Sequence, residues 1–279
     1  MEKWKSMFFR ILLLIGCGIF FYPTISDYVN NITQSKAIIK YQEALSQYDG
    51  IEIEKIKEQA DEYNQTLAME KDPLWKADVL EGYEESLNPF QNGMMGSVVI
   101  DKINVNLPIY HGVNEGVIQS GVGHLPGSSL PVGGETTHAV ISTHSGLPSA
   151  KLFTDLNKLE IGDEFILLVL DESLTYRVDQ ILTVLPDEVE ALKIEEGKDY
   201  VTMLTCTPYG INTHRLLVRG ERVIKDANQQ DSKVGDKGEK RISFNGIKII
   251  VILGIFVVIL GTIIKDLIFL VMKRKKKDR

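Results

Sequence analysis

Cys206 stands in the run Thr205-Cys206-Thr207-Pro208-Tyr209-Gly210, nine residues ahead of Arg215, and is one of only two cysteines in the 279-residue chain. The other, Cys17, lies in an N-terminal apolar segment. Thiols outside a reducing compartment tend to pair, so a lone one is either an inert buried side chain or a nucleophile. Its neighbours suit a nucleophile. Cys206 closes a β-branched run at 201–206, a Pro/Gly turn follows, and Arg215 opens the next run at 215–218. Antiparallel pairing across that turn would bring thiol and guanidinium together. Acyl transfer is the chemistry such a pair suits: the thiolate attacks a carbonyl carbon and a fixed cation stabilises the developing oxyanion. Arginine fits the second task because it stays charged and presents directed donors to oxygen. Taken alone, Arg215 fits a surface pair with a carboxylate equally well.

A cysteine nucleophile also needs a proton-transfer partner, usually histidine near neutral pH. The five available are His111, His124, His138, His144 and His214, and spacing alone does not choose among them. His214 is nearest in sequence, but strand alternation turns it to the face opposite Arg215. His144 ends a strand-like run at a turn, where catalytic side chains are common. The acidic residues show no metal-ligand spacing, and neither metal nor cofactor is expected.

The elements that must hold these groups form three zones. Residues 26–95 carry apolar side chains at helical spacing (Ile32, Ile38, Leu45, then Ile53, Ile56, Ala60, Tyr63), with breaks at Asp49-Gly50 and Asp72-Pro73. Residues 96–225 change to short β-branched runs at 97–110, 138–143, 165–170, 174–178, 181–185, 201–206 and 215–218, separated by Gly/Pro turns, with one short helical stretch at 151–159. That pattern predicts a mainly β barrel or sandwich of 130 residues, large enough for its own core. Residues 226–246 are chiefly polar and read as a linker.

Both ends point to lipid. Residues 1–25 hold an apolar segment, 8–22, behind Lys3, Lys5 and Arg10; it is shorter than the roughly 20 residues of a full span and is expected to be an uncleaved anchor or signal-like segment. Residues 247–272 form a longer apolar stretch, followed by the basic tail 273–279. The chain carries −7 overall, +2 in its first ten residues and +5 in the tail, which leaves −14 between. Basic flanks belong on the cytoplasmic side. The expected topology is two membrane helices, both termini cytoplasmic, and one acidic domain outside. So acidic a domain is a poor nucleic-acid binder.

The stretch Leu-Thr-Cys-Thr-Pro-Tyr-Gly-Ile-Asn-Thr-His-Arg-Leu-Leu-Val-Arg-Gly at 204–220 resembles the active-site segment of sortases, most closely the class C, pilin-polymerising branch. The segments at 103–112, 121–134 and 147–156 are similar to that branch as well, so the resemblance covers 96–223. It implies a closed β-barrel of about eight strands with N-terminal helices, flanked by two transmembrane helices. It also implies Cys206 as nucleophile, His144 as general acid/base and Arg215 as oxyanion-stabilising residue. The segment Ser142-Thr143-His144-Ser145 departs from the Thr/Ser-Gly-His-Arg of many relatives but keeps the histidine. Class C enzymes carry an Asp-Pro-aromatic lid over the site, and Asp72, Pro73, Leu74 and Trp75 stand where it would be, with the aromatic one place late. By resemblance, Asp72 would meet Arg215 while Leu74 or Trp75 covers Cys206; a plain helix-breaking Asp-Pro is the simpler reading.

The function implied is a membrane-anchored cysteine transpeptidase. It would cleave an LPXTG-like sorting signal between Thr and Gly and join the acyl product to a pilin lysine. The partners are pilin subunits with sorting signals and acceptor lysines, and membrane lipid. Alternatives are the same chemistry with a peptidoglycan acceptor, a non-catalytic adaptor that binds sorting signals, and a structural spacer.

Overall fold

The structure, a computed structural model, describes residues 2–75 and 81–224, with 254, 258, 260–265, 268 and 269. The chain divides into two units, Met1–Val29 with Lys233–Arg279, and Asn30–Ser232. In the first unit the described residues are helical. Helix α1, Glu2–Leu45, runs unbroken through Pro23, so no break separates the apolar segment 8–22 from the helical stretch after it. It is the one helix among the described residues long and apolar enough to cross a membrane. Most of the expected second span at 247–272 lies outside the described residues, as do the linker 226–246 and the tail 273–279.

The second unit is a closed barrel on which two helices lean. Ile38, Tyr41 and Leu45 of α1 recur at helical spacing and are buried. Tyr41 donates its hydroxyl to Met95 O at 3.1 Å, and Gln34 donates its amide to Ser120 O at 3.1 Å. Helix α2, Gly50–Met69, starts at the expected break because Asp49 and Glu52 form a reciprocal capping box. Its buried stripe is Ala60, Tyr63, Asn64 and Leu67. Asn64 clamps Leu130 by both groups, donating to its carbonyl at 3.1 Å and accepting from its N–H at 2.7 Å. A buried amide satisfied this way ties α2 to the loop ahead of the barrel's fourth strand.

The strands are β1 Met94–Ile100, β2 Val105–His111, β3 Val122–His124, β4 Thr137–Ser142, β5 Glu164–Val169, β6 Glu172–Val184, β7 Asp199–Thr207 and β8 His214–Arg222. They close in the order β1-β2-β3-β4-β7-β8-β6-β5. The barrel, not the sandwich, is the outcome, and it leaves no free sheet edge. Two pairings, β2 with β3 and β4 with β7, are parallel. The runs expected as separate strands at 174–178 and 181–185 are one strand, β6, because a bulge at Asp179 breaks the alternation between Val178 and Gln180. Strand β3 and helix α3, Glu115–Ser120, do not stand out in the sequence, since three and six residues are too few to show a period. The helical stretch expected at 151–159 is a single tight turn, Leu156–Lys158.

Candidate functional site

Cys206 and Arg215 face each other in the β7–β8 ladder, where Cys206 pairs with Arg215 and Thr207 with His214. Directly opposed residues in an antiparallel pair have Cα atoms about 4.5–5.5 Å apart, close enough for both side chains to reach one small group. Both are half-buried. The Arg215 guanidinium donates through Nη1 to Asn212 O at 3.2 Å and His214 O at 3.1 Å. Among the described residues it forms no ion pair. Arg219, four residues on, differs: Asp179 lies 2.7 Å and Glu195 3.2 Å from it, and its guanidinium lies over the Tyr200 ring at 3.9 Å. The barrel thus neutralises one arginine structurally and leaves the charge of the other available.

His144 follows β4, and the parallel β4–β7 pairing delivers it. Ser142 is in register with Leu204, the last pair of that ladder, and His144 and Cys206 each stand two residues beyond it. Three bonds fasten the extension: Thr143 N–H to Leu204 O at 3.3 Å, Thr205 hydroxyl to Thr143 O at 2.7 Å, and Ser145 hydroxyl to Cys206 O at 2.6 Å. Ser145 therefore joins the histidine loop to the backbone of Cys206. The imidazole Nε2 lies 3.3 Å from Glu115 Oε1, a neighbour that sequence reasoning missed.

The other histidines are held elsewhere. His111 bonds Gly93 O and Ser86 O. His124 is fully buried against Ser129 O and the Tyr83 hydroxyl. His138 joins Lys193 O to the Thr202 hydroxyl, and His214 bonds its neighbour Thr213.

Burial pushes the His124 and His138 imidazoles down from 6.5 to about 4. The unfolded chain binds these protons at ordinary histidine values while the folded chain resists them. Their contribution to stability is therefore full above pH 6.5 and is lost as pH falls toward 4. Each is worth up to roughly 3 kcal/mol over that window. The stability gap between wild type and His138→Gln is expected to narrow as pH falls from 6.5 to 4, measured by denaturant unfolding. A gap that does not vary with pH would remove His138 as the cause.

The segment Asp72 to Trp75 lies on the β4 side of the barrel. Pro73–Trp75 is one tight helical turn, entered through a left-handed Asp72 with φ of 53°. Gly127 accepts it closely, for a Cβ there would sit 2.5 Å from Pro73 O. Leu74 packs against the cluster of Val140, Leu192 and Leu217 that also includes Leu204. Leu204 and Leu217 are two residues from Cys206 and Arg215, so by alternation Leu74 lies on the strand face that bears both. The expected meeting of Asp72 with Arg215 is corrected: the carboxylate lies 3.9 Å from Lys193 Nζ. Seating on Gly127 carries Asp72 over the β6–β7 connection, where Lys193 is the cation in reach. The side chain of Trp75 lies outside the described residues.

Residues 98–223 match the family model described as a sortase domain. Among curated proteins, the chain is 30% identical over 131 residues to sortase A of Streptococcus agalactiae serotype III, covering 46% of this chain and 52% of that one. It is 29% identical over 141 residues to sortase D of Bacillus subtilis, covering 50% and 68%. The chain thus spans about half the length of the first of these relatives. Among solved structures, sortase C1 from Streptococcus agalactiae superposes with a TM-score of 0.63 at 46% identity, over 68% of this chain and 100% of that one. Sortase C of Streptococcus pneumoniae gives 0.62 at 45%, over 68% and 97%. Sortase C-1 from Actinomyces oris gives 0.57 at 41%, over 62% and 98%.

Proposed function

The chain belongs to the sortase family, and from that membership we propose that it is a membrane-anchored cysteine transpeptidase of the pilin-polymerising kind. Cys206 gives its thiol proton to His144 and, as thiolate, attacks the carbonyl of the Thr–Gly bond in an LPXTG-like sorting signal. Arg215 donates to the oxyanion of the tetrahedral species. His144 then gives a proton to the departing glycine amine, and a thioacyl-enzyme remains. A pilin lysine amine enters, loses its proton to His144 and displaces the thiolate, which takes that proton back, leaving an isopeptide bond. The thioester conserves the acyl group's reactivity, so an amine can compete with water.

The observation that carries this reading is the register: one ladder opposes Cys206 to Arg215, and a second ends at Ser142 and Leu204, two residues short of His144 and Cys206. The pilin acceptor draws support from the likeness to sortase C enzymes, one of whose structures is described in terms of pilin substrate specificity. Anchoring rests on α1, with the catalytic barrel outside and both termini cytoplasmic. Mass spectrometry of the full chain mixed with a sorting-signal peptide and candidate amines tests the reading. A cleaved peptide joined to a lysine amine is expected. Joining only to a cross-bridge amine would favour anchoring to peptidoglycan, and no adduct on Cys206 would leave a non-catalytic binder.

Asp72 to Trp75 act in this reading as a lid. Its ionic hold is a half-exposed pair at 3.9 Å, weak by itself, so most of the seating comes from Leu74 in its apolar cluster. Leu74→Ala is therefore expected to speed labelling of Cys206 by a small thiol reagent more than Asp72→Ala does. Equal, unchanged rates in both variants would rule out a closed lid.

A further inference from the structure

Helix α3 is built so that its first residue meets His144. Asn114 caps it, accepting from Val117 N–H at 3.1 Å, and Gln34 of α1 donates to Ser120 O at its end. The Thr143 hydroxyl lies 2.7 Å from both Ile118 O and Gly121 O, so the residue just before His144 is fastened to the end of this helix. Glu115 faces the imidazole from the other end. Its Oε1 lies 3.3 Å from His144 Nε2 and also accepts from the Gln119 amide, which fixes the carboxylate. Among the described residues, Nδ1 of His144 has no hydrogen-bond partner. The Glu115 side chain is 66% exposed and that of His144 24%, so the pair contributes little to stability. Direction is what it supplies.

We infer that Glu115 is a positioning residue for His144: its carboxylate accepts a hydrogen bond from Nε2–H and thereby leaves Nδ1 as the nitrogen that exchanges protons with the reacting groups. A neutral imidazole carries one proton, and the bond made by one nitrogen decides which tautomer is populated. With the proton held at Nε2, Nδ1 accepts the Cys206 thiol's proton, passes it to the departing glycine amine, and later accepts the proton of the entering lysine amine. Without Glu115 the two tautomers would interconvert, the ring would lose an anchor, and part of the population would present a nitrogen already protonated. This assignment rests on the proposed role of His144 in acyl transfer.

The test uses the full chain in detergent micelles, labelled with ¹⁵N-histidine, alongside steady-state cleavage of a sorting-signal peptide. The wild type is expected to show His144 as the Nε2–H tautomer, its signals identified by their loss in His144→Ala. Glu115→Ala should give mixed tautomers and a kcat about tenfold lower, a fraction of the 10²–10⁴-fold that positioned acid–base catalysis supplies, with KM within twofold. Glu115→Gln keeps an oxygen acceptor and should restore both the tautomer and most of the turnover. Unchanged kcat or tautomer in Glu115→Ala would overturn the assignment, as would equal losses in Glu115→Ala and Glu115→Gln. If Cys206→Ala still cleaved the peptide, the transfer reading itself would fall, while the tautomer result would stand separately.

Discussion

Replacing Cys206 by alanine is expected to remove measurable cleavage of a sorting-signal peptide, a loss of at least about 10⁴-fold, the order seen when a catalytic nucleophile is deleted. The substitution removes one sulfur from a half-buried position near the end of β7 and leaves the ladder to β8 intact. Ser145 bonds the Cys206 carbonyl, not its side chain, so the join between the histidine loop and β7 survives as well. A fall in activity with an unchanged unfolding midpoint therefore reports on chemistry. Mass spectrometry supplies the second arm. The wild type should gain the mass of an acyl fragment at Cys206 when the peptide is present without an amine, and the alanine variant should gain none. Retention of a tenth of the wild-type rate would end the nucleophile assignment, since no other cysteine lies in the barrel.

Much of the site was legible because its parts are local. A β-branched run, a Pro/Gly turn and a second run are enough to oppose Cys206 and Arg215, for the hairpin folds back within a few residues. The break at Asp49-Gly50 likewise marks where α2 starts, and the structure adds the capping box of Asp49 and Glu52. What stayed hidden depends on distant pairing. His144 follows the parallel β4–β7 ladder, whose strands are distant in sequence and joined by a crossover that no local pattern specifies, so nothing near Cys206 in the sequence points to it. Glu115 was missed for a related reason. Asn114 followed by an acidic residue and a glycine stop at Gly121 are helix signals, yet six residues is too short a run to be convincing. The segment from Asp72 to Trp75 shows the limit of carrying a contact over from a resemblance. Asp72 and Leu74 are present, but the seat on Gly127 redirects the carboxylate to Lys193, a residue of the β6–β7 connection with no signal in the motif.

Arg215→Ala is expected to lower kcat by about 10²–10³-fold while KM changes little, the effect of losing one donor that bonds the oxyanion and not the ground-state carbonyl. Two observations favour that role over a structural one. The side chain sits directly across the ladder from Cys206, so a carbonyl attacked by the thiolate would place its oxygen within reach of the guanidinium. Its protein partners are two backbone carbonyls, at 3.2 and 3.1 Å, which orient the fork without neutralising it. A structural arginine in this barrel looks like Arg219, paired with Asp179 and Glu195 and lying over Tyr200. Loss of Arg219 should therefore lower the unfolding midpoint, whereas loss of Arg215 should scarcely move it. Arg215→Lys retains the charge but presents a point donor in place of a planar fork, so it should recover part of the lost rate. Steady-state kinetics on the two Arg215 variants, with unfolding curves beside them, separates these cases. A rate loss under tenfold, or a fall in stability like that of an Arg219 variant, would make Arg215 a scaffold residue and leave the oxyanion to another donor.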